Sequence, residues 1–282
     1  MIKNALTINL EDWYQTRDIN IDMKIWANCE DRVEESVEVL LNVLKKGNVK
    51  ATFFVLGYVA ENHPELIRKI SDQGHEMGCQ GYSDKLIIHQ TRNGFREDVR
   101  TSKHIIEDII GKEVNAYRAY GWSITKKTLW ALPILEEEGF CCDSSIKPFT
   151  CISSGISGAP LTPYHPIVNN KKLKLVEYPP SVYTLAGLKI PFSGGIYFRS
   201  MPISFIKRAL KKLNRKTSGM IYIHSWEIDQ KQPKLSLMPL PMFTHYHNID
   251  TTIDKVQTIA EDFDMVPIKE IVEKSDYPYM QI

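Results

Sequence analysis

Residues 74–85, GHEMGCQGYSDK, are the stretch whose reading decides the fold. Small and apolar residues as far as Cys79 have the character of a buried strand, and Gly81-Tyr82-Ser83 makes a turn directly after it. In parallel α/β folds the carboxyl ends of strands carry the chemistry, and Gln80, Tyr82 and Asp84 stand at that place.

Working outward, the flanking segments alternate between helix and strand periods. Upstream, residues 64–73 read as a helix opened by Pro64 and stopped by Gly74. The run VKATFFVL at 49–56 is continuously apolar, as in a strand covered on both faces. Val33, Val37, Leu40, Leu41 and Leu44 recur at helical spacing over 30–46, and Gly47 closes that helix. Residues 5–10 are a short apolar strand entering an acidic tip. Downstream, 92–110 predicts an amphipathic helix ended by Gly111, 114–119 a strand, 125–138 a helix capped by Thr125, and 140–145 another strand. The second half is less regular. Residues 148–170 read as loop, 173–178 as a strand, 191–199 as a turn-bearing excursion and 202–215 as a basic helix. Residues 220–224 read as a strand, 250–263 as a helix and 265–268 as the last strand, followed by a short helix. This alternation predicts βα units around a parallel sheet, a single α/β domain over 1–282 in the form of a distorted, incomplete (β/α) barrel.

Composition narrows the partners. The chain has 282 residues, is 43% hydrophobic and 24% charged, and carries a net charge of +1, so nothing electrostatic points to nucleic acid. No stretch approaches the ~20 apolar residues of a membrane span. The opening MIKNALTINLEDW is interrupted by Asn4, Asn9, Glu11 and Asp12, which is unlike a secretory leader, and the expected location is cytoplasmic. Five cysteines, with no CxxC pair, predict reduced and mostly buried thiols.

A series of ordered segments resembles the polysaccharide deacetylase family (carbohydrate esterase family four, the NodB-homology domain), and in particular its branch from exopolysaccharide and O-antigen gene clusters. Thr7-Ile8-Asn9-Leu10-Glu11-Asp12 stands where that branch reads Thr-Ile-Asp-x-Glu-Asp, and residues 50–54 keep its Lys-Ala-Thr-Phe-Phe. Gln80-Gly81-Tyr82-Ser83-Asp84 stands where the family has His-Gly-Tyr-Ser-His. Arg118-Ala119-Tyr120 takes the place of Arg-Ala-Pro, and Cys142-Asp143-Ser144-Ser145-Ile146 that of Tyr-Asp-Ser-Ser-Ile. The Gly-Gly-x-Tyr-Phe-Arg and Tyr-x-His-x-Trp-Glu-Ile-Asp segments are kept at 194–199 and 222–229. The resemblance implies a seven-stranded NodB-like barrel and an N-acylated sugar, or a sugar-linked precursor, as partner in bacterial glycan biosynthesis.

In the family an aspartate base, a metal-binding aspartate, two metal-binding histidines and a late histidine acid hydrolyse an acetamide. Amide hydrolysis needs an activated water, a stabilised oxyanion and a proton for the amine. Carried over by position, His224 is the acid, Asp143 the carboxylate that orients it, and Arg118 the arginine beside the base, whose place Asn9 takes. Asp12 falls at the metal aspartate with Glu11 beside it as a substitute. Gln80 and Asp84 replace the two imidazoles. An amide accepts no proton at neutral pH, and oxygen donors suit Mg²⁺, Ca²⁺ or Mn²⁺ better than zinc. The implied zinc chemistry is therefore expected to be lost and no cofactor is expected, with a hard divalent cation at Asp12 and Asp84 as the alternative. Tyr82, Tyr120, Trp122, Tyr197 and Trp226, with Phe198, are expected to line a saccharide cleft; the competing reading is ordinary packing. Cys79 reads as a small buried hydrophobe, His245 and His247 as surface or loop residues, and the basic helix as a solvated face. Three functions stay open: a sugar N-acyl hydrolase, a non-catalytic saccharide- or partner-binding pseudoenzyme, and a metal-independent C–N hydrolase of the deformylase or cyclic-amide type.

Overall fold

The computed structural model describes residues 2–151 and 154–282. The first half is built from β1 (Asn4–Leu10), α1 (Val33–Lys46), β2 (Thr52–Val55), α2 (Gly57–Asn62), α3 (Pro64–Asp72), β3 (Glu76–Cys79), α4 (Arg92–Ile110), β4 (Ala116–Tyr117), α5 (Ala131–Glu137) and β5 (Cys142–Asp143). The second half adds β6 (His165–Val168), β7 (Lys171–Lys172), β8 (Val176–Glu177), β9 (Val182–Leu185), β10 (Leu188–Pro191), α6 (Gly195–Ser200), α7 (Ile203–Leu213), β11 (Met220–His224), α8 (Pro239–Tyr246), α9 (Thr252–Asp262), β12 (Met265–Val266), α10 (Lys269–Val272) and β13 (Tyr279–Gln281).

Seven strands form one parallel sheet in the order β11-β1-β2-β3-β4-β5-β8, and β12 pairs with the start of β1. Strands from both halves of the chain therefore share one sheet. Side-chain alternation splits it into two faces. Leu6, Ile8 and Leu10 of β1, Phe53 and Val55 of β2, and Ile221 and Ile223 of β11 pack outward in the large core under the helices. Ala5, Phe54, Ala116, Cys142, Met220 and Tyr222 pack together on the inner face. Arg118, just past β4, reaches Thr7 and Asn9 of β1 and Met220 of β11. Only a curled sheet brings those strands within one side chain's length, so the sheet is an open, barrel-like shell.

The predicted helices form, α3 and α4 close to their predicted ends. Thr91 Oγ1 accepts from the Gly94 N–H at the start of α4, and Gly111 closes it in the left-handed region at φ 63°. α5 begins at Ala131, later than expected, because Pro133 has no N–H to give and is tolerated only in a first turn. The stretch read as loop contains β6, which pairs with β7 and β13 in a small separate sheet. The excursion at 191–199 is the end of the β9–β10 hairpin followed by α6. Among the described residues no helix is long and apolar enough to cross a membrane.

Gly78 marks how closely β3 packs. A Cβ there would lie 2.7 Å from Phe54 Cδ1 and 3.2 Å from the Ala116 carbonyl. Gly78→Ala is expected to cost about 1–3 kcal/mol through overpacking, read as a lower urea midpoint at unchanged slope. An unchanged midpoint would contradict this packing.

Candidate functional site

The inner face of β1 decides which carboxylate enters the barrel mouth. Thr7 and Asn9 face inward, so Glu11 is the next inward position and Asp12 turns away. Asp12 was the expected metal position; instead its Oδ1 accepts from the Trp13 N–H at 2.6 Å and its Oδ2 from the Arg32 N–H at 2.7 Å. Burial pushes the Asp12 carboxyl up to about 7, against those backbone bonds. It caps the 3₁₀ turn at Trp13–Gln15 and joins it to the start of α1.

Glu11 takes the central place. Its Oε1 accepts from Gln80 Nε2 and, at 3.4 Å, from Asn9 Nδ2, while its Oε2 lies 3.3 Å from His224 Nδ1. Ser225 Oγ holds the Glu11 backbone from both sides, accepting from its N–H at 2.9 Å and donating to its carbonyl at 2.6 Å. Asn9 and His224 are direct register partners across β1 and β11. Burial pulls the His224 imidazole down, but the Glu11 carboxylate, with Glu227 behind it, outweighs that and leaves it above the ordinary histidine range.

Asn9 connects this cluster to a fully buried charge. Its Oδ1 accepts from Arg118 Nη1 at 2.8 Å, so its N–H face turns toward Glu11. Arg118 is fully buried and also donates to Thr7 Oγ1, the Ser144 carbonyl and Ser144 Oγ. Its guanidinium lies 4.1 Å from the Phe54 ring centre and 4.4 Å from that of Trp122. Burial brings it down to about 9. None of these partners is a carboxylate.

Asp143 was expected to orient His224. It is instead paired with Glu177, a residue that the sequence reading passed over. Both are fully buried. Asp143 Oδ1 accepts from Ser145 Oγ at 2.5 Å, and Glu177 Oε1 from the Ile146 N–H at 3.0 Å. Burial and the Asp143 charge hold Glu177 far above the usual range, so it keeps a proton and donates it to Asp143. β5 and β8 are neighbours in the sheet, which places the two carboxyls side by side.

A cavity of about 510 Å³ opens over Glu11 and His224 and is lined by Tyr120, Trp122, Tyr197, Tyr222 and Trp226. Four of the six aromatics expected at the cleft are thus there. Tyr82 is not: its hydroxyl donates to Glu61 at 2.5 Å beside α2. Phe198 is wholly in the core. Asp84 is half-buried, and burial foremost, then the fields of Asp22 and Glu11, push its carboxyl up. Cys79 is buried and its thiol pushed up to about 12 by that burial, as an inert hydrophobe should be. His245 is not a surface residue. It lies in α8, fully buried, stacked on Trp226 at 4.1 Å, with Nε2 2.7 Å from Gln232 Oε1. Behind it the Arg199–Glu227 ion pair, 2.7 Å and buried on both sides, fixes the β11 end, because Glu227 Oε2 also accepts from the His224 N–H.

These donors do not suit the zinc ion of the family chemistry. Gln80 turns its N–H to Glu11, Asp12 spends both oxygens on the backbone, and Gln80 Oε1 is left buried without a partner. Among the described residues no group of three histidine, cysteine, aspartate or glutamate side chains is placed to hold a metal.

Comparison with known proteins agrees with this architecture. Residues 21–136 match the polysaccharide deacetylase family, and residues 144–273 match a domain of unknown function, DUF3473. Over the first of these stretches the chain is similar to polysaccharide deacetylases. It is 31% identical over 93 residues to a peptidoglycan-N-acetylglucosamine deacetylase of Bacillus cereus, covering 33% of this chain and 34% of that one. It is 32% identical over 113 residues to a peptidoglycan deacetylase of Helicobacter pylori, covering 40% and 38%. The chain thus spans little more than a third of these relatives. A Mycobacterium smegmatis structure provisionally named a polysaccharide deacetylase superposes with a TM-score of 0.61 over 96% of this chain and 90% of its own, at 21% identity, which fixes the fold as NodB-like.

Two outcomes follow from this geometry. Glu11→Gln removes the charge that opposes burial at His224, so the imidazole's NMR titration midpoint, above the ordinary range in wild type, should fall below wild type's; an unmoved midpoint would show that Glu11 does not charge it. Glu177→Gln keeps a donor toward Asp143 and should leave the urea midpoint near wild type, whereas Glu177→Ala strands a buried carboxylate and should cost about 1–3 kcal/mol. The sign with pH is definite. An unfolded glutamate ionises near ~4.3 while the folded one keeps its proton, so the wild type loses stability as pH rises above that value. Glu177→Gln should therefore gain on wild type between acid and neutral pH, and a constant difference would refute the shared proton.

Proposed function

We propose that this protein binds an N-acylated sugar, as part of a glycan or as a sugar-linked precursor in bacterial glycan biosynthesis, and no longer carries out zinc-dependent amide hydrolysis. One observation carries the reading: the position that would face a metal ion is filled by the Glu11 carboxylate, held by N–H donors from Gln80 and Asn9. A hydrolytic site needs lone pairs turned inward, and here two amides turn hydrogens inward. The cavity keeps what a sugar needs, with aromatic faces for the ring and a few polar groups at the centre. The match of residues 21–136 to polysaccharide deacetylases supports a saccharide as the ligand class. The kept segments at 7–12, 194–199 and 222–229 support the exopolysaccharide branch. Five free thiols favour a reducing compartment, the cytoplasm, where precursors rather than finished polymers are met. Asp12 and Asp84 as a hard-cation site find little support, since both oxygens of Asp12 are committed to backbone N–H groups.

A second reading has one observation in its favour. Glu11 and His224 lie 3.3 Å apart in the same cavity. Glu11 as base and His224 as acid could open a C–N bond without a metal. In the resting protein, however, each group neutralises the other.

The deciding measurement is acetate release from chitooligosaccharides, with zinc added and with a chelator present. Neither condition should exceed the buffer blank. Release that needs zinc would overturn the proposal; release that survives chelation and vanishes in both Glu11→Gln and His224→Ala would move the protein to the second reading.

A further inference from the structure

We propose that the cleft selects an anionic sugar, one bearing a carboxylate or phosphate, which pairs with Lys147 and Arg17 at its mouth. This rests on the saccharide reading above and names the class of sugar.

The charges that line the cavity do not close among themselves. Of its carboxylates, Glu11 is taken by His224, Gln80 and Asn9, and Glu227 by Arg199 and the His224 N–H. Asp18 makes no ion pair within 4.0 Å among the described residues; burial foremost raises its carboxyl, and Thr244 and the fields of His224, Arg199 and Arg17 only oppose that. Of the cations, that leaves Lys147 and Arg17. Both line the cavity. Among the described residues neither makes an ion pair closer than 4.0 Å or a side-chain hydrogen bond, in a chain where many surface cations do.

Lys147 is half-buried in the cavity wall, while Arg17 is exposed at its edge. Lys147 Nζ stands 5.6 Å from the Trp122 ring centre, against the aromatic wall. Burial, with the charges of Arg17 and Arg118 adding to it and Cys151 opposing, brings its amine down to about 8. Arg17 lies against Gly121, where an added Cβ would come within 2.8 Å of its Cδ. Gly121 and Trp122 both hold left-handed backbone, φ 62° and 57°, a conformation that a tryptophan adopts only under tertiary constraint. Lys147 thus lies against Trp122 and Arg17 against the neighbouring Gly121.

Lys147 and Arg17 thus stand at the cavity without a counter-ion within 4.0 Å among the described residues. A neutral N-acetylhexosamine brings hydroxyls that donate as readily as they accept. A carboxylate or phosphate brings only lone pairs, and charge-assisted bonds to it are the stronger kind.

The test is calorimetric titration of the whole chain with three probes: a hyaluronan tetrasaccharide, which alternates uronate and N-acetylglucosamine; chitotetraose, which is neutral; and UDP-N-acetylglucosamine, which carries phosphate. The inference expects at least one anionic probe to bind about tenfold or more tighter than chitotetraose. That preference should collapse in Lys147→Ala and Arg17→Ala, survive in Lys147→Arg, and shrink as salt is raised. The anionic probe that binds tells carboxylate from phosphate. Equal binding of hyaluronan and chitin fragments, unchanged in the variants, would overturn the anionic inference and leave the saccharide reading standing. No binding of any probe would remove both. Circular dichroism of each variant guards against misfolding, and Lys147→Arg, which keeps the charge, separates lost charge from lost structure.

Discussion

The structure turns on a guanidinium buried without a carboxylate. Arg118 crosses the inside of the curled sheet, tying β1 and the end of β5 to the end of β4 through neutral oxygens and reaching β11 at the Met220 sulfur. A buried charge is costly unless something answers it. Here aromatic faces above and below, and the single charge shared by Asp143 and Glu177, supply what a direct ion pair would otherwise give. The arrangement explains why two buried carboxyls sit close together at all. Burial raises both carboxyls, and the Asp143 charge carries Glu177 the further.

Asn9 carries the consequence into the site. With its oxygen committed to Arg118, only its N–H face remains for Glu11. An aspartate in that position would answer the arginine directly but would set a second carboxylate against Glu11. The asparagine thus makes a chain of guanidinium, amide and carboxylate in which every hydrogen bond has one donor and one acceptor. Gln80 repeats the logic from β3. Asn9 and Gln80 are one change rather than two: each brings an N–H toward the same oxygen.

Behind that layer the support is unusually firm for a cleft. Arg199 ties Glu227 to the carbonyls of Thr244, His245 and His247, and Glu227 holds the backbone of His224. Stacked on Trp226, His245 is held neutral by burial, its pKa down to about 3. The wall that faces the ligand is therefore pinned from its back, which favours a pre-formed groove over one that closes on binding.

Sequence by itself determined the order of strands and helices and the residues that share a face. Period-two alternation along β1 and β11 is a local property, as is the 3.6-residue spacing of α1 and α4. It also placed Asn9, Gln80 and His224 at strand ends, because a turn signal follows each strand. Only the tertiary structure decided which charges meet. Glu11 rather than Asp12 enters the site because inward and outward positions are assigned by which face the helices cover. Asp143 belongs to Glu177 because β5 and β8 are neighbours, although 34 positions separate the two in the chain. Lys147 and Arg17 lie 130 positions apart and meet at the cavity mouth. Local spacing sets where a side chain points, whereas electrostatic partners are set by the closing of the sheet, and no short stretch of sequence contains that distance.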